Sequence, residues 1–342
     1  MSPDELLRRA QAGDGDAAVQ LSHLMDRQRR YRDALDLLAG AARAGHVTAM
    51  TLLGARLAAA RAAPHDPVSG AQLIEGAAAR GGPEAAAYAS VLAAIGIGRA
   101  QSWADALAYL KQAAERGHKR SQAVSALLGE VDIEAWLSPP PMEARSQEPL
   151  VAVIPGFLEP AICDWIMSES RDYLRPAQVY DPAAGGGQAD DTRTNSGTGF
   201  SLIDLDVAFA LVQVRIAAAA GVRREQLETT NVLHYSVGQR FSPHFDFVDP
   251  ALSPTLAQEV AQKGQRTGTF LVYLNDGFEG GETEFSELGL KIRGAKGDAL
   301  FFRNVDAAGR PDPRTLHAGL PPSSGEKWVL SQWMRDRPQL LI

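Results

Sequence analysis

The sequence predicts two domains of different fold class: an all-α solenoid of helical repeats over residues 1–135, and an α+β domain built on a β-sandwich or jelly roll over residues 149–342. Three observations lead to this division. The N-terminal part is rich in Ala, Leu and Arg and carries an internal repeat, whereas short β-like runs separated by turn residues follow from Leu150. Between them, residues 136–148 contain Ser138-Pro139-Pro140-Pro141, which disfavours helix and predicts a linker.

A glycine recurs in the N-terminal part at intervals of 32, 36 and 36 residues, in Ala-Gly or Arg-Gly dipeptides: Gly13, Gly45, Gly81 and Gly117. Seven residues before each glycine lies an aliphatic side chain, and three before each lies an alanine, which places both on one helix face. The aliphatic residues are Leu6, Leu38, Ile74 and Leu110, and the alanines are Ala10, Ala42, Ala78 and Ala114. Four positions after the last three glycines come small residues that let a second helix pack closely: Ala49, Ala85 and Ser121.

Each repeating glycine is predicted to end a helix in the left-handed conformation. A helix pair of this kind cannot bury its own apolar face, so successive pairs stack into a solenoid. The pattern over about residues 3–130 resembles Sel1-like repeats, which are related to tetratricopeptide repeats. The resemblance implies a concave surface for a protein substrate or partner.

Composition narrows the functional classes. The formal net charge of −7 argues against a dedicated nucleic-acid-binding protein, because phosphate contacts require clustered Lys and Arg. No apolar stretch approaches the ~18 residues that a membrane span requires. Cys163 is the only cysteine, which excludes an internal disulfide, and the start Met1-Ser2-Pro3-Asp4-Glu5 does not resemble a secretory signal. We therefore expect a cytoplasmic protein without nucleic-acid or membrane partners, while its oligomeric state stays open.

The C-terminal part reads as mostly antiparallel strands with helices at one end. Its β-like runs are Val151–Ile154, Thr230–Val237, Thr269–Leu274, Ala299–Arg303 and Lys327–Trp333. Helical stretches are predicted near residues 160–174 and 206–220, with a helical insertion over residues 248–265. The glycine-rich segment 183–187 is expected to be a flexible loop over the active site.

A candidate metal site begins at His244-Phe245-Asp246. Alternate residues of a strand share a face, so this imidazole and carboxylate can bind one cation. The third ligand must come from elsewhere in the fold, and His317, just before the last predicted strand, is the natural candidate. Two histidines and a carboxylate leave three coordination positions open, which suits Fe(II) that binds a cosubstrate and O₂. Zinc with a bound water is the alternative from these ligands alone.

Lys327 favours iron over zinc. It lies ten residues after His317 and opens a strand on which Lys327, Val329, Ser331 and Trp333 share a face. A lysine that projects into an apolar barrel needs an anion, because an unpaired buried charge is costly. A dicarboxylate that chelates iron at one end would supply this anion at its other end, and a zinc hydrolase has no such requirement.

An ordered set of motifs over about residues 149–337 resembles the catalytic domain of prolyl 4-hydroxylases. They include Tyr235 nine residues before His244, Arg266-Thr267-Gly268-Thr269 before Leu271-Val272-Tyr273-Leu274-Asn275, Gly280-Gly281-Glu282-Thr283-Glu284-Phe285, Gly297-Asp298-Ala299-Leu300-Phe301-Phe302, and Trp333. The resemblance implies a double-stranded β-helix, or jelly-roll, oxygenase domain. It also implies hydroxylation of a C–H bond, with decarboxylation of 2-oxoglutarate to succinate.

The same resemblance implies individual roles. His244, Asp246 and His317 would bind Fe(II), and Lys327 would pair with the far carboxylate of 2-oxoglutarate. Tyr235 and Thr269 would hydrogen-bond that carboxylate. Substrate-binding residues at the entrance would be Arg193, Arg266 and Trp333. The cosubstrates are 2-oxoglutarate and O₂, and ascorbate is a candidate reductant.

The substrate is less defined than the reaction. Phe241 and Phe245 stand where the family often has tyrosine, so the positioning of substrate or water can differ. The preferred reading is 4-hydroxylation of a prolyl residue in a peptide or protein. Alternatives are a free amino acid or other small molecule, another protein residue, or, from another class, a repeat adaptor whose oxygenase domain only senses oxygen or 2-oxoglutarate.

Overall fold

The computed structural model describes residues 1–129, 132–177, 179–181, 186–188 and 192–339. Residues 183–185 of the predicted glycine-rich loop lie outside this set. The chain divides into two compact units. One comprises Met1–Ile133 and Leu202–Leu211, and the other comprises Glu134–Ser201 and the residues from Val212 onward. The first unit therefore contains a ten-residue segment that the sequence placed with the second domain.

The first unit contains four successive helix pairs, which confirms the predicted all-α repeat. The helices are α1 (Pro3–Gln11), α2 (Gly15–Arg27), α3 (Tyr31–Arg43), α4 (Val47–Ala58), α5 (Pro67–Ala79), α6 (Pro83–Ile95), α7 (Trp103–Glu115) and α8 (Lys119–Leu128). The aliphatic residue seven positions before each repeating glycine is at most 4% exposed in every pair. Burial of this single face explains why a pair needs a neighbour.

The turn within each pair is built as the spacing predicts. Gly13, Gly45, Gly81 and Gly117 have φ values of 91°, 85°, 99° and 88°, in the region that residues with a Cβ avoid. In two of the four turns the next residue is a histidine that begins the following helix. The Nδ1 atoms of His46 and His118 accept hydrogen bonds from the backbone N–H groups of Ala49 and Ser121. These histidines are helix caps.

The second unit is a β-rich domain whose described strand pairs are all antiparallel, which confirms the predicted fold class. The strands are β1 (Glu143–Gln147), β2 (Leu150–Ile154), β3 (Arg175–Pro176), β4 (Val179–Asp181), β5 (Gly186–Gln188), β6 (Ser196–Phe200), β7 (Thr230–Tyr235), β8 (Phe241–His244), β9 (Arg266–Tyr273), β10 (Phe278–Gly280), β11 (Thr283–Phe285), β12 (Leu290–Ile292), β13 (Ala299–Arg303), β14 (His317–Gly319), β15 (Pro322–Gly325) and β16 (Lys327–Arg335). The largest sheet has the order β1-β2-β13-β9-β16-β7-β6-β3, and a second sheet has the order β12-β11-β14-β8.

Aromatic and aliphatic side chains from both of these sheets form one core. Phe285 from the four-stranded sheet meets Phe302 from the eight-stranded sheet edge to face, with ring centroids 5.0 Å apart. The ring of His317 packs against Phe302 at 4.7 Å. Packing against Phe302 in this core therefore helps to fix the position of the His317 ring.

The predicted linker over residues 136–148 is wrong in its second half. Residues Glu143–Gln147 form β1, an edge strand that pairs with β2. Its side chains are mostly exposed and include Glu143 and Arg145, which is typical of an edge strand that must avoid pairing with another chain. The prolines stop a helix, but they do not prevent the residues after them from adding to a sheet.

Helices outside the repeats are α9 (Ile133–Leu137), α10 (Pro160–Arg171), α11 (Val207–Ala220) and α12 (Pro254–Lys263). The last three confirm the predicted helical stretches, and α12 is the predicted insertion between Asp246 and the strand that begins at Arg266. None of the described helices is long and apolar enough to cross a bilayer.

Candidate metal centre and its pocket

The three predicted ligands come together where β8 pairs with β14. His244 ends β8 and faces His317 across the pairing with β14, and their ring centroids are 4.3 Å apart. Asp246 follows two residues after His244, just beyond the end of β8. Its two carboxylate oxygens lie 3.5 Å from His244 Nε2 and 3.5 Å from His317 Nε2. All three ligand atoms lie within 4.8 Å of one another, as one bound cation requires.

Backbone carbonyls orient both imidazoles. Nδ1 of His244 lies 2.8 Å from the Ser242 carbonyl, and Nδ1 of His317 lies 3.0 Å from the Thr315 carbonyl. A carbonyl only accepts, so each Nδ1 carries the proton and each Nε2 lone pair faces the carboxylate. Burial, together with the nearby His244, lowers the pKa of His317 to about 4, which keeps this ring neutral and able to bind a metal at neutral pH.

The charges of the site fit Fe(II). Asp246 is 4% exposed, and although burial opposes ionisation, the two histidines and the Thr269 hydroxyl hold its pKa well below its usual range. Among the described residues, no Lys or Arg lies within salt-bridge distance of this carboxylate. A cation bound by the two Nε2 atoms would compensate the buried charge. Two imidazoles and one carboxylate match the facial ligand set of Fe(II) oxygenases.

Thr269 does not have its predicted role. Its hydroxyl donates to Asp246 Oδ2 at 2.7 Å and accepts from the Asn304 side-chain amide at 3.0 Å. The single proton of this hydroxyl is therefore used on the iron ligand, and a carboxylate of 2-oxoglutarate offers only acceptors. Thr269 also does not line the pocket, whereas Thr283 does. Thr269 orients the metal ligand. Thr283 lies in the cavity lining instead, with its Oγ1 3.1 Å from the Tyr273 hydroxyl, which donates to the Ile292 carbonyl.

The pocket runs from the triad to Lys327, in a cavity of about 140 Å³. Lys327 is 2% exposed, and burial lowers its pKa to about 8. Its Nζ lies 5.2 Å from the ring centroid of Tyr235, its partner across the pairing of β16 with β7. Among the described residues, no carboxylate lies within salt-bridge distance of Lys327. The buried ammonium is thus ready to bind an anion that enters the cavity.

The predicted substrate residues separate into two groups. Arg193 and Trp333 line the cavity, and the guanidinium of Arg193 lies 4.5 Å from the ring centroid of Phe241. Arg266 does not line it, contrary to prediction. Its guanidinium donates to both carboxylate oxygens of Glu228, at 2.7 and 3.0 Å, and stacks 3.8 Å from the Trp333 ring centroid. The ion pair with Glu228 fixes the guanidinium of Arg266 in this stack, so Arg266 supports the ring of Trp333 without lining the cavity.

Two site residues were missed from the sequence. Thr283 lies within the Gly280–Phe285 motif, and its position two residues before the buried Phe285 on the same strand could have indicated an inward side chain. Glu228 gave no such signal, because its partner Arg266 is 38 residues away in the chain. Only the pairing of distant strands reveals that contact.

Comparison with known proteins agrees with this geometry. The family model described as the 2OG-Fe(II) oxygenase superfamily matches residues 230–335, which include the triad and Lys327. Prolyl 4-hydroxylase 1 of Arabidopsis thaliana is 32% identical over 211 residues, covering 57% of this chain and 72% of the relative.

Two solved structures resemble different parts of the chain. The viral collagen prolyl hydroxylase of Paramecium Bursaria Chlorella virus-1, in complex with 2-oxoglutarate, is 27% identical, covers 54% of this chain and 94% of its own, and has a TM-score of 0.41. A Sel1 repeat protein from Oxalobacter formigenes is 27% identical, covers 35% of this chain and 92% of its own, and has a TM-score of 0.33.

Proposed function

This chain belongs to the prolyl 4-hydroxylase family of 2OG-Fe(II) oxygenases, and from that membership we propose that it 4-hydroxylates a prolyl residue in a peptide or protein. It is a 2-oxoglutarate-dependent dioxygenase. The observation that carries the proposal is one cavity with the His244–Asp246–His317 triad at one end, a buried lysine at the other, and Arg193 and Trp333 among its lining residues.

Different residues of the chain would bind the metal and the cosubstrate. His244, Asp246 and His317 would hold Fe(II), which with 2-oxoglutarate and O₂ supplies the oxidation of a C–H bond while 2-oxoglutarate is converted to succinate. Lys327 would compensate the far carboxylate, and Tyr235 would donate its hydroxyl to it. Thr283 lines the same cavity with its hydroxyl 3.1 Å from that of Tyr273, and it would have to release this contact to donate to the carboxylate. The aromatic and aliphatic walls exclude water, which strengthens each of these charged contacts.

Arg193 and Trp333 are the proposed peptide contacts. The indole Nε1 of Trp333 is buried and has no hydrogen-bond partner among the described residues. A buried donor without a partner is costly, so a substrate carbonyl that accepts from it would be favoured. An extended peptide offers such a carbonyl at every residue, and proline itself packs well against an aromatic ring.

The helical repeats are proposed as a second recognition surface for a protein substrate. A groove in the first unit is lined by Tyr31, Leu52, Tyr88 and Arg61. Tyr31 is 44% exposed, so its ring is accessible to a bound segment. Replacing Tyr31 with alanine should then raise the KM of a folded protein substrate and leave that of a short peptide unchanged; equal effects on both would contradict this part of the proposal.

Succinate formation by the Fe(II)-loaded full chain tests the central proposal. We expect turnover of 2-oxoglutarate that rises with an oligoproline peptide and disappears in His244→Ala, with mass spectrometry locating the hydroxyl on proline. Stimulation by free amino acids but not by peptides would instead favour a small-molecule substrate. A protein that binds iron but never consumes 2-oxoglutarate would favour the adaptor reading. Omitting ascorbate from the same assay tests its proposed role as reductant.

A further inference from the structure

Behind Trp333 lies a continuous row of alternating charges. Arg266 binds Glu228, and Glu228 Oε1 also accepts from Arg335 Nε at 2.5 Å. Arg335 in turn donates through Nη2 to Glu259 Oε1 at 2.5 Å. The row thus runs from the Glu259 carboxylate through Arg335, Glu228 and Arg266 to the indole ring of Trp333, which lines the pocket.

The outer end of this row is the insertion helix α12, which carries Glu259. Arg335 also donates through Nη1 to the carbonyl of Gly264, the C-cap of α12, at 2.6 Å. Gly264 has φ of 80°, and a Cβ there would lie 1.9 Å from Asp336 Oδ1, so glycine is required at this close approach. The chain after β16 adds two further bonds to the helix, from Arg337 and Gln339 to the carbonyls of Ala261 and Lys263.

Burial makes the row sensitive to each of its members. Arg335 is 1% exposed, and the side chains of Glu228 and Arg266 are 17% and 20% exposed. Removing one partner from such a set leaves an uncompensated charge that draws the remaining groups towards itself. Without Glu259, Arg335 has only Glu228 as a carboxylate partner. Glu228 would then shift from Arg266 towards Arg335 and loosen the stack on Trp333.

We propose that Arg335 and Glu259 are positioning residues, through which the α12 insertion holds the Arg266–Trp333 stack in place for the peptide substrate. The inference rests on the proposed function in one respect, namely that Trp333 contacts the peptide. It adds that an element outside the pocket sets peptide affinity. The iron triad and Lys327 lie outside the row, so binding of 2-oxoglutarate is independent of it.

Glu259→Gln tests the inference, because it removes the charge and keeps the size of the side chain. In the Fe(II)-loaded full chain we expect the KM for an oligoproline peptide to rise about fivefold to tenfold, as for other coupled charge networks. The kcat and the peptide-independent consumption of 2-oxoglutarate should stay within about twofold. Glu259→Asp, which keeps the charge, should recover part of the affinity.

Gln258→Lys is the matched control. Gln258 lies on the exposed side of α12, and this change shifts the charge of the helix by the same +1 as Glu259→Gln. If both variants raise KM equally, the effect belongs to the helix as a whole and the inference is wrong. An unchanged KM in a folded Glu259→Gln variant would also overturn it.

A second measurement tests the positioning role even if the enzyme does not act on prolyl peptides. The fluorescence of Trp333 is obtained as the difference between each protein and its Trp333→Phe counterpart. We expect acrylamide to quench this contribution more in Glu259→Gln than in the wild type, because the Arg266 stack is looser. Absence of peptide turnover in the wild type would contradict the proposed function alone. Unchanged quenching of Trp333 in Glu259→Gln would contradict the positioning role.

Discussion

The two units use histidine in opposite ways. In the repeat unit, Nδ1 of His118 accepts from the backbone N–H of Ser121, and its Nε2 lies 3.1 Å from Glu84 at a more exposed position. In the β-rich unit, Nδ1 of His317 donates to a carbonyl, which leaves the Nε2 lone pair facing Asp246 inside the pocket. The protonated ring nitrogen therefore decides whether the side chain caps the start of a helix or is available to a metal.

The largest expected effect follows from removing the lone pair that faces the pocket. We expect His317→Ala to lose iron and to lose 2-oxoglutarate consumption to below detection, because a two-ligand site no longer holds the metal in place. Metal content and succinate formation measure this. His118→Ala should retain full turnover, and loss of turnover in both variants would erase the distinction between the two kinds of histidine.

Lys327 is a buried charge, unlike the solvent-exposed ion pairs of the repeats such as that of Arg30 with Asp33. Lys327→Ala should raise the KM for 2-oxoglutarate about tenfold or more, since a charge-assisted hydrogen bond contributes about 1.5–3 kcal/mol. The pKa of about 8 predicts a pH dependence. Below pH 8 the ammonium is charged and binds the carboxylate, and above pH 8 the charged fraction falls about tenfold per unit, so KM should rise.

Lys327→Arg separates this titration from other effects of alkaline pH. A guanidinium stays charged throughout the range, so KM in this variant should be independent of pH between 7 and 9 whatever its absolute value. A KM that rises in parallel in both proteins would assign the titration to another group.

Thr269 tests whether the support of a ligand matters as much as the ligand itself. Thr269→Val removes the hydrogen bond to Asp246 and should weaken Fe(II) binding about tenfold to a hundredfold, the usual effect of losing such a partner. Thr267→Val is the matched control on the same strand, and it should leave iron affinity unchanged. Equal iron affinity in the wild type and in Thr269→Val would show that the pairing of β8 with β14 alone orients the carboxylate.

The smallest expected effect is on the stability of the repeats. His118→Ala should lower the free energy of unfolding by about 1 kcal/mol, because the first turn of α8 loses its cap. His118→Asn, which also caps well, should recover most of it. Thermal unfolding compares the three proteins, and an unchanged midpoint in His118→Ala would mean that Nδ1 contributes little.

Several features could be predicted because they depend on residues close in sequence. The 36-residue spacing placed one apolar face and one left-handed glycine in every pair, and strand alternation placed His244 and Asp246 on one side of a strand. The end of the helical region at Pro139-Pro140-Pro141 could also be predicted, because proline acts on the residues next to it. The edge strand β1 was missed because its exposed, charged side chains have no apolar alternation to indicate a strand.

The residues by themselves determined the repeat period and the His244–Asp246 pair, because periodicity relates near neighbours. The ordered motifs of the family resemblance added His317 and the need for an anion at Lys327. Only the tertiary structure decided that Thr269 binds Asp246, that Thr283 faces the pocket, and that Arg266 is held by Glu228 away from it. The physical reason is that a hydrogen-bonding side chain has few donors to give. Which partner accepts these hydrogen bonds depends on strands that are distant in sequence and meet only in the folded sheets.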